Sequence, residues 1–296
     1  MTGSTASRTP MTSIETVRDA AALRQRIAAW QSAGERVGLV PTMGGIHDGH
    51  LALVHAAREG CDRVAASLFV NPKQFGPSED FATYPRDEAR DARLLAEVGV
   101  ELLFAPGMEE MYPQGFATRV SVSGVTEGLC GAHRPGFFDG VATAVCKLFM
   151  QALPDAAYFG EKDYQQLQMV RRMVADLAIP VDIVPVATVR EADGLALSSR
   201  NDYLTDSERR NAPTLYRVLS TIASGLEGGE GSVADLTVWG LGELEGAGFG
   251  PIDYLEVRDA DTLRPVEVVD KPARVIAAAW LGKARLIDNV AVRPAR

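Results

Sequence analysis

Two histidines of this chain, His47 and His50, lie in a glycine-rich segment, residues 41–50, between two apolar runs. The preceding run, residues 37–40, is typical of a short buried strand, and the following run, residues 51–57, is typical of a helix. Glycine lets a backbone approach an anion closely, and the first turn of a helix favours negative charge. Because imidazole rings can also donate to phosphate oxygens, the segment predicts a phosphate site.

Two other interpretations of residues 41–50 stay open on this pattern alone. A short turn rich in glycine, histidine and aspartate is often only a turn, and strand–loop–helix patterns are common in α/β proteins. His-x-x-His spacing could also supply half of a metal site.

A second charged segment contains Lys162, one of only five lysines in the chain. It follows a short apolar run, residues 157–159, and precedes a predicted helix over residues 164–177. Asp163 and Gln166 are spaced as the N-cap residue of that helix and its N3 partner, which is a structural explanation for both. No such explanation covers Lys162, because a helix dipole repels a cation at this end. The sequence therefore indicates an anion beside Lys162.

Polar side chains at two further places suit ligands. Asn71 and Gln74 follow a predicted strand over residues 64–70, and parallel sheets bind ligands just past the carboxyl ends of their strands. Residues 198–200, Ser-Ser-Arg, combine two hydroxyl groups with a permanent cation, which suits phosphate oxygens. Ordinary turn or loop chemistry is the alternative for both segments.

The elements that must position these residues follow from the apolar periodicity. Three successive strand-then-helix units predict a parallel α/β sheet with crossover helices. The pattern also indicates a β-like segment at residues 118–122 and an exposed polar loop at 130–136. Helices are predicted over 14–32, 86–98 (with Ala89 facing inward) and 139–153, and further strands over 100–105 and 181–186.

The pattern changes near residue 188. A capping-box start at 205–208 predicts a long helix to about residue 224, and a glycine-rich linker follows at 225–231. A helix at 232–244 and strands at 252–257, 274–280 and 284–290 predict a smaller α+β domain. We therefore expect domains at 1–188 and 189–296, with residues 1–13 forming a loose tail.

Composition limits the class of protein. A hydrophobic content of 46% in 296 residues is ample for packed cores, and no run reaches the roughly 18 apolar residues that span a bilayer. The net charge of −9 argues against non-specific binding to nucleic acid or acidic lipid. The three cysteines have no ligand-like spacing, and the start lacks the apolar core of a signal peptide, so we expect a cytoplasmic protein with reduced thiols.

Several motifs resemble one known family. His-x-Gly-His resembles the signature of the nucleotidyltransferase superfamily, and the longer Pro-Thr-Met-Gly-x-x-His-x-Gly-His of residues 41–50 is similar to that of the pantothenate synthetase family. Further similar motifs occur in the same order and extend the resemblance to nearly the whole chain after the tail. They lie at residues 69–75, 84–86, 111–113, 159–167 and 193–201.

The resemblance implies a fold, an activity and partners. The fold is a Rossmann-like parallel sheet followed by a smaller α+β domain that covers the active site. The implied reaction joins (R)-pantoate to β-alanine through a pantoyl-adenylate and converts ATP to AMP and pyrophosphate, with Mg²⁺ on the phosphates. The implied assembly is a homodimer formed through the first domain, with neither nucleic acid nor membrane as a partner.

The resemblance also assigns residues. Pantoate is expected at Gln74, Gln166 and Asn71, with β-alanine later near Gln74, and no residue is assigned as a direct metal ligand. Phe137 stands where the family often has histidine, so any hydrogen bond of that histidine is absent and no catalytic role is expected at this position. The implied catalytic residues are His50 (as proton donor), His47, Lys162, Ser198, Ser199 and Arg200. The implied ATP-binding residues are Met43, Gly44, His47, Gly49, His50, Gly160, Glu161, Lys162, Asp163, Val189, Leu197, Ser198, Ser199 and Arg200.

Two rival functions follow from the same residues. A nucleotidyltransferase that transfers AMP or CMP to a phosphate acceptor would form a pyrophosphate-linked product and would need more basic residues around the acceptor. A non-catalytic nucleotide sensor would need neither Lys162 nor the paired glutamines Gln74 and Gln166. Nucleotide-dependent melting without turnover would favour the sensor.

Overall fold

The computed structural model describes residues 14–77 and 79–294, so the predicted tail at residues 1–13 lies outside the described residues. The chain forms two compact units. The first comprises residues up to Val120 together with Thr143–Phe159 and Val174–Val186. The second comprises Ser121–Ala142, Gly160–Met173 and the chain from Ala187 onward. A single boundary after residue 188, with the second domain covering the active site, stays a prediction.

A six-stranded sheet forms the centre of the first unit. The pairs β1–β4, β4–β3, β3–β2 and β2–β5 are parallel, which confirms the predicted parallel α/β sheet. The strand order is β1-β4-β3-β2-β5-β6, so the order reverses at β2. The strands are β1 (Glu15–Val17), β2 (Val37–Thr42), β3 (Arg63–Leu68), β4 (Leu102–Phe104), β5 (Ala156–Gly160) and β6 (Asp182–Val186).

Helices connect these strands and cover the sheet. Helix α2 follows β2 and helix α3 follows β3, as the predicted strand-then-helix units require. Val40, Val54 and Leu95 are among the fully buried residues of the core that β2, α2 and α3 share. The helices of this part of the chain are α1 (Ala20–Ser32), α2 (Asp48–Gly60), α3 (Glu88–Glu97) and α4 (Met108–Met111).

Three local predictions in the first unit are wrong. Residues Glu15–Val17 form an edge strand paired with β4 instead of the start of a helix, because pairing with a distant strand outweighs the local periodicity. Residues 118–122 form no strand, and the backbone N–H of Val120 donates to the Thr143 hydroxyl. In α3 the predicted inward residue Ala89 is exposed, whereas Asp91 is buried.

The second unit combines helices with an antiparallel sheet, which confirms the predicted smaller α+β fold. Its strands are β7 (Ile252–Asp259), β8 (Ala273–Leu281) and β9 (Ala284–Val292), in the order β7-β8-β9. Leu219 and Ile222 of a helix pack with Val275 and Ala277 of β8 in its core. The helices are α5 (Leu129–His133), α6 (Phe137–Ala152), α7 (Tyr164–Asp176), α8 (Asp206–Asn211), α9 (Thr214–Gly228) and α10 (Val233–Gly246); α6 and α7 each continue into the first unit.

Predicted boundaries in the second unit need three corrections. The capping box of Thr205 and Glu208 is confirmed, but the predicted long helix is divided into α8 and α9 before Pro213, since proline cannot continue a hydrogen-bonded helix. The predicted linker at 225–231 is mostly helical, and α9 ends at a left-handed Gly229. The predicted exposed loop at 130–136 contains part of α5, with Cys130 buried.

Candidate active site

The glycine-rich turn after β2 is held by a residue from another element. Gly44 and Gly45 have φ angles of +91° and +63°, which side chains rarely allow. The Asp91 carboxylate of α3 accepts the backbone N–H groups of Gly45 and Ile46, both at 2.9 Å. A Cβ atom on Gly44 would lie 2.9 Å from an Asp91 oxygen. The turn therefore depends on both its glycines and the buried Asp91, which sequence reasoning missed.

His47 and His50 together cap the start of α2. The Nδ1 atom of His47, the N-cap residue, accepts the backbone N–H of Gly49 at 3.1 Å, and the Nδ1 atom of His50 accepts the backbone N–H of His47 at 3.4 Å. The ring centroids are 4.2 Å apart. Because both Nδ1 atoms are acceptors, a neutral ring carries its proton on Nε2. Nε2–H groups can donate to phosphate oxygens, and the positive end of the helix dipole favours a phosphate group at this position.

Gln74 lies in a hydrogen-bonded chain with other predicted site residues. Its amide nitrogen is 2.9 Å from the Met43 sulfur, and its amide oxygen accepts from the Asn71 amide at 3.0 Å. The Tyr112 hydroxyl donates to the Asn71 oxygen at 2.8 Å, and burial raises the pKa of Tyr112 to about 12. Asn71 is only 2% exposed, and the hydrogen bond from its amide to the Gln74 oxygen orients the Gln74 side chain. Tyr112 had no assigned role in the sequence prediction, although it lies in one of the family-like motifs.

A separate cavity of about 710 Å³ opens at the carboxyl ends of β3 and β4 in the first unit. Met43 and Gly44 are the only predicted site residues in its lining. The cavity is therefore not formed around the histidine pair or Gln74.

Lys162 lies in a 3-10 turn, Glu161–Asp163, that follows Gly160 and continues directly into α7. Asp163 is therefore part of the helical turn, and its prediction as the N-cap residue is wrong. Burial lowers the pKa of the Lys162 ammonium group, and the Arg200 cation lowers it further. The carboxylates of Asp163 and Asp288 act in the opposite direction.

A hairpin brings the remaining ATP-binding candidates of the second unit together. The backbone N–H of Leu197 donates to the Val189 carbonyl at 3.0 Å, so these two residues are neighbours. Ser198 follows and caps a 3-10 helix, Ser199–Tyr203, by accepting the Arg200 backbone N–H at 3.3 Å. Arg200 is near enough to Lys162 to affect its pKa. Two cations and the two serine hydroxyls thus belong to one part of the unit.

The predicted site residues fall into two groups, one in each unit. Gln166 is half-buried in α7. Phe137, which stands where the family often has histidine, has its ring centroid 3.7 Å from the Arg134 guanidinium carbon. The first group comprises Met43, Gly44, His47, Gly49, His50, Asn71 and Gln74. The second comprises Gly160, Glu161, Lys162, Asp163, Gln166, Val189, Leu197, Ser198, Ser199 and Arg200.

A parallel sheet with a histidine pair at the start of the crossover helix α2 fits the nucleotidyltransferase class of enzyme that the sequence motif resembles. Comparison with known proteins narrows this class. The family model described as pantoate-beta-alanine ligase matches residues 15–291. The chain belongs to this family.

Individual relatives agree along nearly the whole chain. The pantothenate synthetase of Paramagnetospirillum magneticum is 58% identical over 283 residues, which cover 96% of this chain and 99% of the relative. A solved pantothenate synthetase structure from Thermus thermophilus has a TM-score of 0.89 and 53% identity, covering 95% of this chain and 100% of that one. A pantoate-beta-alanine ligase structure from Francisella tularensis, complexed with beta-gamma ATP and beta-alanine, has a TM-score of 0.77 and 31% identity, covering 94% and 97%.

The predicted resemblance and function are therefore confirmed. The chain catalyses the ATP-dependent condensation of (R)-pantoate with β-alanine, which gives pantothenate, AMP and pyrophosphate through a pantoyl-adenylate. Within residues 14–77 and 79–294, no helix has the length and apolarity needed to cross a membrane.

Proposed function

We propose that the chain divides the work of its reaction between residues for phosphate chemistry and residues for pantoate binding. The observation that carries this proposal is the half-buried Lys162, whose turn is held by Asn289 and which lies near enough to Arg200 for the two cations to interact. Holding two cations near each other is costly, and a bound polyanion offsets that cost. The reversal of strand order at β2 adds support, since doubly wound sheets bind ligands beyond the strand ends at such a point.

In the first half-reaction, a pantoate carboxylate oxygen attacks the α-phosphorus of ATP. A new P–O bond forms, the bond to the bridging oxygen breaks, and pyrophosphate leaves with the bond electrons. His47, His50 and Lys162 stabilise the charge on the α-phosphate oxygens, where preorganised donors have their largest effect. Ser198, Ser199 and Arg200 hold the leaving pyrophosphate.

Neutral amides hold pantoate. Gln74 and Gln166 donate to it without neutralising the carboxylate that must attack, and Asn71 fixes the orientation of Gln74. In the second half-reaction the β-alanine amine, bound near Gln74, attacks the acyl carbon of the adenylate. The C–N bond forms while the C–O bond breaks and its electron pair leaves with AMP. The amine loses its proton to water, and His50 acts as proton donor to the leaving phosphate oxygen. No covalent bond to the enzyme is required.

The remaining ATP contacts are proposed from the same positions. Gly44 and Gly49 bring backbone close to the nucleotide beside Met43, and Val189 and Leu197 offer neighbouring hairpin backbone. Gly160, Glu161 and Asp163 flank Lys162 in the second unit.

Mg²⁺ fits this site as an ion carried by the phosphates. The chain offers cations and hydroxyl groups to the phosphates, and among residues 14–77 and 79–294 no group of three or more His, Cys, Asp and Glu side chains could hold a metal ion. Mg²⁺ commonly keeps several waters and binds substrate phosphates with few protein ligands. When bound, it would neutralise charge on the leaving pyrophosphate.

We further propose a cytoplasmic homodimer that binds neither nucleic acid nor membrane. Its three cysteines all lie in the described residues and form no disulfide, which suits a reducing compartment. The net charge of −9 supports the absence of nucleic-acid binding.

The direct test of this function measures AMP release with each substrate omitted in turn. We expect AMP only when ATP, pantoate and β-alanine are all present, with pantothenate as the other product. A pyrophosphate-linked product would favour a nucleotidyltransferase, and ATP binding without AMP release would favour a nucleotide sensor. Either result would overturn the proposal.

A further inference from the structure

Two adjacent residues of β9, Asp288 and Asn289, reach both catalytic segments of the second unit. The Asn289 amide nitrogen donates to the backbone carbonyls of Glu161 at 2.8 Å and Lys162 at 3.0 Å. Asn289 is 3% exposed, so these bonds are shielded from water. A single side chain therefore holds two successive peptide groups of the 3-10 turn that carries Lys162.

Arg274 of β8 completes the support of this turn. It donates to the Asn289 amide oxygen at 2.5 Å and forms an ion pair with Glu161 at 3.1 Å. Its guanidinium also lies 3.8 Å from the centroid of the Tyr164 ring, the first residue of α7. The antiparallel sheet thus contacts the turn at three places: the backbone carbonyls of the turn, the Glu161 side chain and the ring of Tyr164, which follows the turn.

Asp288 makes the second connection. Its carboxylate, which is 2% exposed, accepts from both terminal nitrogens of Arg190, at 2.6 and 2.9 Å. Arg190 also donates to the Gly194 carbonyl at 3.1 Å and stacks over the Tyr216 ring. Arg190 and Gly194 belong to the hairpin that leads to Ser198, and β9 also contacts the 3-10 helix Ser199–Tyr203.

We propose that Asp288 and Asn289 are positioning residues for adenylate formation, because they hold the Lys162 turn and the segment leading to Ser198–Arg200 against the same strand. This inference rests on the roles proposed above for Lys162, Ser198, Ser199 and Arg200. Groups that must act together on one phosphate chain tolerate little displacement, since a shift of about 1 Å can cost about 100-fold in rate. Neither Asp288 nor Asn289 needs to touch the substrate for this role.

The charge of Asp288 gives the proposal a second readout. The charged groups that act on the Lys162 ammonium are Asp163, Arg200 and Asp288, while the neighbouring Glu161 is paired with Arg274. Asp288 raises the pKa of Lys162, and Arg200 lowers it. Removing the Asp288 charge should therefore make Lys162 lose its proton at a lower pH.

The first experiment uses Asn289→Leu, which keeps the approximate volume but removes the hydrogen bonds to the turn. We expect positional isotope exchange in ATP, measured with pantoate present, to slow by about 10- to 100-fold. The dissociation constant of ATP should change less than about threefold, because the phosphate-binding side chains themselves remain. Leu286→Ala is the matched control: it removes buried bulk from the same strand and should lower the melting temperature while leaving exchange per folded molecule unchanged.

The second experiment uses Asp288→Asn, which keeps the shape and removes the charge. The alkaline limb of kcat/KM for ATP should move to lower pH, whereas a purely structural role predicts an unshifted limb. Three outcomes would each overturn the inference. They are wild-type exchange in Asn289→Leu, equal losses of exchange and of ATP affinity in that variant, and an unshifted alkaline limb in Asp288→Asn.

Parallel measurements on Lys162→Ala and Arg200→Ala separate this inference from the proposed function. If both variants lose exchange while the Asn289 and Asp288 variants behave as wild type, only the positioning role fails. If Lys162→Ala keeps wild-type exchange, the proposed roles fail and the positioning role fails with them.

Discussion

At the scale of single residues, Lys162 is the most informative side chain of the site. Lys162 is half-buried, and the Arg200 cation is near enough to lower its pKa, so local stability does not explain the presence of this lysine. Its position after a strand and before a helix was visible in the sequence. The opposing effects of Arg200 and Asp288 on its pKa were not visible, because these residues are distant from Lys162 in the chain.

We predict that Lys162→Ala nearly abolishes adenylate formation and leaves the fold intact. The substitution removes the charge that we propose stabilises the transition state, and a loss of about 3 kcal/mol or more, over 100-fold in rate, is expected. It also removes a cation that interacts unfavourably with Arg200, so the melting temperature should not fall. Pyrophosphate release and thermal unfolding measure the two effects, and wild-type turnover in this variant would exclude Lys162 from the mechanism.

The pH dependence of the free enzyme gives a prediction with a definite sign. Because burial and Arg200 lower the pKa of Lys162, its ammonium form is lost as pH rises through a value below the usual lysine pKa of about 10.4. The alkaline limb of kcat/KM for ATP should therefore lie below that value. Lys162→Arg, whose side chain stays charged, should be slower but lack this limb. The same limb in both proteins would contradict the assignment.

Substitutions of Gln74 and His47 should impair the use of different substrates. Gln74→Ala removes the proposed hydrogen bonds to pantoate and should weaken pantoate use by about 1–3 kcal/mol, with ATP binding nearly unchanged. His47→Ala should impair ATP handling first, since it removes a proposed phosphate donor together with the observed cap of α2. Separate titrations of ATP and pantoate measure both effects, and a Gln74 variant that loses ATP affinity as severely as pantoate use would refute this division.

At the scale of elements, the glycine turn shows which features local patterns can predict. Its strand, its helix and its histidines were all predicted from residues 37–57. The support of the turn by Asp91 was not predicted, because this carboxylate comes from α3, 45 residues later than Ile46. The edge strand β1 was missed for the same reason: only its pairing with β4 distinguishes it from the start of a helix.

We predict that Asp91→Ala destabilises the protein by about 1–3 kcal/mol, because it leaves the N–H groups of Gly45 and Ile46 without their acceptor. ATP affinity should fall as well, since the turn precedes the histidine pair. Asp87→Ala is the control: this exposed residue caps the same helix by accepting from the Arg90 N–H, so its loss should affect stability alone. Equal ATP affinities in the two variants would argue against a role of Asp91 in the turn.

At the scale of the whole molecule, the parallel sheet and the smaller α+β fold were predictable, because strand-then-helix units and a later antiparallel pattern are properties of long segments. The membership of segments 121–142 and 160–173 in the second unit was not predictable, because it depends on tertiary contacts. Family motifs predicted the reaction, because they combine residues from both units.

We predict a homodimer formed through the first unit. Sedimentation at micromolar concentration should show a species of about twice the 31.7 kDa chain mass. A single species at the monomer mass would contradict this prediction. Family resemblance is its main basis, since a chain of 296 residues can bury an adequate core by itself.

Two separate half-reactions are the main feature of the proposed mechanism, and positional isotope exchange in ATP measures the first of them directly. If ATP and pantoate react before β-alanine is used, exchange should occur with ATP and pantoate alone. It should be absent without pantoate and nearly lost in Lys162→Ala, while β-alanine should be needed only to discharge the adenylate. Exchange that requires β-alanine would contradict the proposed mechanism.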